Sequence, residues 1–149
     1  YHKEQNKPYS FSFSLTPHLR DWKKAGTHKK GWDFNSPLYA CTMTTCFPIK
    51  PIRRSRFLPE EESMFHINCD NAVITSVSGT AEPGVFLIRV VEYYGKSKLV
   101  VINTGFPVES ATEVNLLEEA LSELEVRNSS ISLPLRKNAI HTIRIRMKS

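Results

Sequence analysis

Apolar and polar residues alternate along much of the chain. Tyr9, Phe11, Phe13 and Leu15 interleave with Ser10, Ser12 and Ser14, a period of two that predicts a half-buried strand. The same period returns later. SMFHINC sets Phe65, Ile67 and Cys69 on one side, and an Asp70-Asn71 turn leads into AVITSVSG. Glu82-Pro83-Gly84 turns that segment into VFLIRVVEYY, 85–94, which is apolar on both sides except at Arg89 and so reads as a central strand. Gly95-Lys96 leads to KLVVIN. SISLPL and AIHTIRIRM close the series, the last with Ile143, Ile145 and Met147 on one side. Many short strands between regular turns predict an all-β fold, an antiparallel β-sandwich.

Three segments break the alternation. HLRDWKKAG, after Pro17, predicts one or two helical turns ended by Gly26. An extended stretch, Asp33 to Thr45, is expected next. Phe47 to Glu62 then carries prolines at 48, 51 and 59, which deny ladder hydrogen bonds and suit a connector. The division is therefore 1–46, a Pro-rich linker 47–61, and a small sandwich 62–149. In the third segment, ATEVNLLEEALSELEV, Val114, Leu117, Leu121 and Leu124 recur at three- and four-residue spacing. That periodicity predicts an amphipathic helix over 112–124, capped by Ser110 or Thr112.

Composition adds limits. With 149 residues, 40% hydrophobic and 23% charged, the chain can bury a core. It holds no run of about 18 apolar residues, so no membrane-spanning helix is expected. Net charge is +5, but the densest basic run, Lys50 to Arg56, meets Glu60-Glu61-Glu62 at once. That is a solvated linker rather than a nucleic-acid surface. Cys41, Cys46 and Cys69 are odd in number. If the chain is extended, the first two stand about 16 Å apart, beyond bridging reach. Free thiols imply a reducing compartment, hence a cytoplasmic location. The chain opens on Tyr1 with no leader-like segment, and reads as a piece of something longer.

Candidate chemistry is sparse. His18 and Asp21 share spacing that fits one helical face, yet no nucleophile accompanies them, so they are expected to satisfy backbone groups at a corner where Trp22 packs. Arg89 and Glu92 fall on opposite faces of one strand. Arg89 is expected to form a structural ion pair. Trp22, Trp32, Tyr39, Tyr93 and Tyr94 are candidates for sugar stacking, with core packing as the competing role.

The runs SFSFSLTPHLRDWKKAG and WDFNSPL resemble the C-terminal β region of glycoside hydrolase family 38, the α-mannosidases, especially prokaryotic members. The resemblance rests on Phe13, Leu15, Pro17, His18, Asp21, Trp22, Phe34, Asn35, Pro37 and Leu38, with Arg20 where glycine is common. Further on, Arg89, Glu92 and Gly95 match the terminal sandwich, while Lys137, Asn138 and Ala139 replace the usual Pro-Phe-Glu. The resemblance implies that 1–46 are the last strands of a larger β-domain, and that LLEE belongs to a strand-and-turn region, against the helix. It also implies a parent enzyme that cleaves terminal α-linked mannose with retention, using two carboxyl groups about 5–5.5 Å apart and a divalent metal, typically zinc. Those motifs lie upstream in the family, so no catalytic, cofactor or metal residue is expected here. His18, Asp21, Trp22, Asn35, Arg89 and Glu92 are expected to be structural or to face substrate. The implied partners are an upstream catalytic domain of the same enzyme, mannose-containing glycans through it, and, because orphaned strands expose edges, a second copy by strand pairing. The alternative is a free-standing carbohydrate-binding β-module.

Overall fold

The computed structural model describes residues 8–39 and 61–148. The chain divides into two units, Tyr1–Arg53 and Arg54–Ser149. The prolines at 48, 51 and 59, together with Cys41 and Cys46, lie outside the described residues.

Among its described residues the first unit contains two helices, α1 (Trp22–Ala25) and α2 (Thr27–Asn35). The Asp21 carboxylate accepts from the Lys24 N–H at 2.9 Å and caps α1. Gly26 ends that helix with φ of 63°, the left-handed region where a residue without Cβ carries no steric penalty. The helical turn expected after Pro17 is therefore present. Two expectations fail. Tyr9–Leu15 lie in no strand, and Phe11, Phe13 and Leu15 are exposed at 76%, 90% and 96%. An alternating segment becomes a strand only where another strand takes its backbone N–H and C=O groups, and no strand is present among the described residues of this unit. Asp33, Phe34 and Asn35 are helical rather than extended, because bonds of helical spacing form locally: Ser36 N donates to the Trp32 carbonyl at 2.8 Å and Asn35 Nδ2 to the Gly31 carbonyl at 2.8 Å. Residues 40–45 of that expected strand lie outside the described residues.

The second unit is all-β. Its strands are β1 (Phe65–Ile67), β2 (Ala72–Gly79), β3 (Val85–Glu92), β4 (Lys98–Thr104), β5 (Val108–Val114), β6 (Ala120–Arg127), β7 (Ser130–Leu135) and β8 (Ile140–Met147). Every pairing is antiparallel, in the order β1-β4-β7-β6-β5-β8-β3-β2. β6 makes the fold a sandwich: its first half pairs with β5 and its last three residues, Glu125–Arg127, pair with β7. A strand that changes partner partway along its length carries one layer over into the other.

Inward-facing Ile88, Ile102, Ile131, Leu133, Ile143 and Ile145 are wholly buried and form the centre of the core. Phe65, Phe86 and Phe106 pack with centroids 5.5–6.4 Å apart, an aromatic group joining β1 and β3 to the loop after β4. β3 has neighbours on both sides but stands one strand from the edge. The Asp70-Asn71 turn is present, though it joins strands of opposite edges, since β1 pairs with β4 and β2 with β3.

Residues 112–124 form a β-hairpin, the strand-and-turn region that the resemblance implied, and not the helix that the periodicity alone predicts. β5 and β6 enclose a turn in which the Asn115 side-chain oxygen accepts from the Leu117 and Glu119 N–H groups, both at 2.9 Å, an Asx-type closure. Glu118 takes φ of 66° there. The leucines that suggested a helix do not share a face. Leu117 and Leu121 are 80% and 58% exposed, whereas Leu124 packs on the core.

Candidate functional site: two buried carboxylates around the β7–β8 turn

Alternation decides which charged groups are buried. On β3, Ile88, Val90 and Glu92 point inward and Arg89 outward. Glu92 is therefore 2% exposed, and it lies at the strand end, within reach of three chain connections. Its Oε1 accepts from Asn71 Nδ2 at 3.0 Å and from Tyr94 N at 2.8 Å; its Oε2 accepts from Gly95 N at 2.8 Å and Asn138 N at 2.9 Å. Burial pushes this carboxyl up, but the Asn138 N–H, the Asn71 amide and the Tyr94 N–H outweigh it and hold the group at about 2. Gly95 has φ of 71°, and a Cβ there would meet Asn138 Oδ1 at 3.3 Å.

A second buried carboxylate was not anticipated from the sequence. Glu113 of β5 is 3% exposed and His141 of β8 is wholly buried. His141 Nε2 accepts from the Arg136 backbone N–H at 3.0 Å, so the proton sits on Nδ1, which donates to Glu113 Oε1 at 2.8 Å. The Arg136 guanidinium donates to the same oxygen at 2.8 Å. Both carboxylates thus hold the turn between β7 and β8, Glu92 through Asn138 and Glu113 through Arg136. The signal for this pair was present as polar residues in an apolar phase: Glu113 follows Ala111 on the inward side of β5, and His141 precedes Ile143 and Ile145.

The arrangement does not suit acid–base catalysis. Both Glu92 oxygens are occupied by donors, both imidazole nitrogens are engaged, and Glu113 is held through its Oε1 by His141 and Arg136, so the buried groups are used within the fold. Among the described residues, no group of three or more His, Cys, Asp or Glu is placed to hold a metal ion.

The other anticipated residues are scattered. In the first unit the His18 ring pairs with the Arg20 carbonyl. Asp21 caps α1, and the Lys24 N–H lowers its pKa. Trp22 is 41% exposed and meets His28 edge-on at 6.2 Å. His18 and Asn35 line one polar depression of about 310 Å³ with Lys30 and Phe34, which Asp21 and Trp22 do not line. Of the aromatic candidates, Tyr39 is 94% exposed, whereas Trp32, Tyr93 and Tyr94 are half-buried. In the second unit Arg89 is exposed and forms no ion pair among the described residues. The structural ion pair expected for it is absent there because it points away from every carboxylate of the core.

The family model described as glycosyl hydrolases family 38 C-terminal beta sandwich domain matches residues 71–143. That span runs from the Asn71 that binds Glu92 to the middle of β8 and contains both buried carboxylates. No curated protein matches the chain.

Proposed function

From the premise that residues 71–143 belong to the C-terminal β-sandwich domain family of the family 38 glycosyl hydrolases, we propose that the chain is a non-catalytic part of an α-mannosidase. The parent enzyme removes terminal α-linked mannose with retention, and the sandwich packs against and supports its catalytic domain. The observation that carries this reading is how the two buried carboxylates are used. Glu92 and Glu113 are committed to backbone and side-chain donors of their own fold, whereas a retaining glycosidase needs two carboxyl groups open to a sugar. The bond-cleaving carboxylates and the zinc belong, on this reading, to an upstream domain. Tyr9–Leu15 belongs to the same picture. Its apolar side is exposed in this unit, as suits a strand whose sheet is completed by upstream residues. A cytoplasmic location is part of the proposal and rests on the unpaired Cys69.

The experiment compares the parent polypeptide with this chain alone on an aryl α-mannoside with zinc supplied. Turnover by the parent and none by the chain is expected. Turnover by the chain itself, or an upstream reading frame without paired carboxylates and metal ligands, overturns the proposal. Retention of the isolated chain on immobilised mannoside would replace it with a free-standing carbohydrate-binding module.

A further inference from the structure

His141 is wholly buried, and its two bonds ask opposite roles of one ring. Nδ1 donates to Glu113 Oε1 and Nε2 accepts from the Arg136 N–H; only the neutral imidazole can do both. Arg136 reaches the same group twice, since its guanidinium donates to the oxygen that Nδ1 already holds. The turn between β7 and β8 is thus fastened at two points that differ in chemistry. At Asn138 the acceptor is the Glu92 carboxylate, which stays ionised down to about 2. At Arg136 it is an imidazole nitrogen, which ceases to accept once it takes a proton.

We propose that protonation of His141 is a conformational switch that releases Arg136 from the β7–β8 turn while Asn138 stays fixed. A proton at Nε2 turns the acceptor into a donor and sets N–H against N–H across 3.0 Å. The ring, now a cation, keeps Glu113 through Nδ1 and competes there with the guanidinium for a single oxygen. Of the two cations the guanidinium is the one able to leave, because its side chain is 61% exposed and the ring is wholly buried. Both holds on Arg136 therefore weaken together. The neighbouring Lys137 N–H donates to Ser97 Oγ at 3.2 Å, so release extends toward the connection between β3 and β4. No other charge intervenes from the elements packed around the ring. β8 lies between β3 and β5. From β5 the ring is faced by Glu113, and its register partner on β3 is the apolar Val90. Glu92, further along β3, is committed to its own donors. On β8 itself Arg144 and Arg146 turn to Glu118 and Glu82. Across the core, the buried residues of β4 and β7 carry no charge. The direction follows: the neutral ring keeps Arg136 in place, and falling pH releases it.

NMR of the nitrogen-labelled chain tests this as pH is lowered from neutral. The His141 ring nitrogens report its protonation, and amide exchange gives protection factors for Arg136 and Asn138. Protection at Arg136 is expected to fall about tenfold, the worth of roughly one hydrogen bond, in step with the second proton on His141. Protection at Asn138 is expected to persist until Glu92 itself titrates. His141→Gln offers both an acceptor and a donor and does not titrate, so its Arg136 protection is expected not to change with pH. If that variant does not fold, the wild-type titration decides alone. Arg136 remaining protected with both ring nitrogens protonated overturns the inference. So does loss of protection at Arg136 and Asn138 together, which is opening of the whole turn, or a ring that keeps a single proton until the chain unfolds.

Discussion

Replacing Glu92 with glutamine keeps the shape of the side chain and removes its charge and one acceptor oxygen. The four donors to Glu92 come from Asn71, Tyr94, Gly95 and Asn138, so three connections lose their common anchor at once. Two routes to the magnitude agree. A carboxyl held at about 2 in the folded chain against an ordinary 4.5 contributes about 3 kcal/mol to folding at neutral pH. Independently, the new NH2 group turns its hydrogens toward at least one buried N–H, and each buried polar group left without a partner costs about 1–3 kcal/mol. The expected loss for Glu92→Gln is therefore about 3 kcal/mol, read as a lower urea midpoint with an unchanged slope. The effect has a pH signature. Because folding lowers this pKa, its contribution is complete above pH 4.5 and is lost as pH falls toward about 2. The gap between wild type and variant should close over that window. A neutral-pH loss under about 0.5 kcal/mol, the range of an ordinary surface change, or a gap independent of pH, would refute the clamp.

Other perturbations have graded outcomes. His141→Ala empties a wholly buried site, removes one of the two donors to Glu113 and leaves the Arg136 N–H without its acceptor, and should cost about 3 kcal/mol, whereas Arg136→Ala removes a guanidinium whose side chain is 61% exposed and should cost about 1 kcal/mol or less; urea midpoints give the ranking. At the β5–β6 turn, Asn115→Ala should cost about 1 kcal/mol through its lost acceptor, while Leu116→Ser with Leu117→Ser, at sites 69% and 80% exposed, should stay within about 0.5 kcal/mol. The opposite order would restore the helical reading of that segment. Treatment with EDTA should leave the melting midpoint in place, measured by circular dichroism, since the described residues hold no metal-binding cluster.

The strands of the sandwich were legible because each half-buried strand writes its two faces into alternate residues, as Ile143, Ile145 and Met147 do on β8. The β5–β6 hairpin was legible through the resemblance alone and not through its periodicity. Val114, Leu117, Leu121 and Leu124 keep helical spacing by coincidence, two of them in solvent and the others on opposite faces of the layer. The signals that override this spacing were Asn115, whose side chain closes the turn, and Glu118, whose backbone tolerates the left-handed region. Tyr9–Leu15 shows the converse, since a strand pattern states what a segment can pair with and not that a partner is at hand. The carboxylates were half legible. Their inward phase can be counted along β3 and β5, but the Glu92–Asn138 contact spans 46 residues, and no local rule connects them. Arg89 was expected in a structural ion pair, and only the structure shows that it is exposed and forms none among the described residues.

The central claim is that the buried carboxylates hold the sandwich together rather than transfer protons. Titration of the Glu92 side-chain carbon by NMR in the isolated chain tests it most directly. The account predicts a midpoint near 2, with the Tyr94, Gly95 and Asn138 amide signals shifting in step. A midpoint above the ordinary 4.5, as an acid–base group in a glycosidase requires, would contradict it.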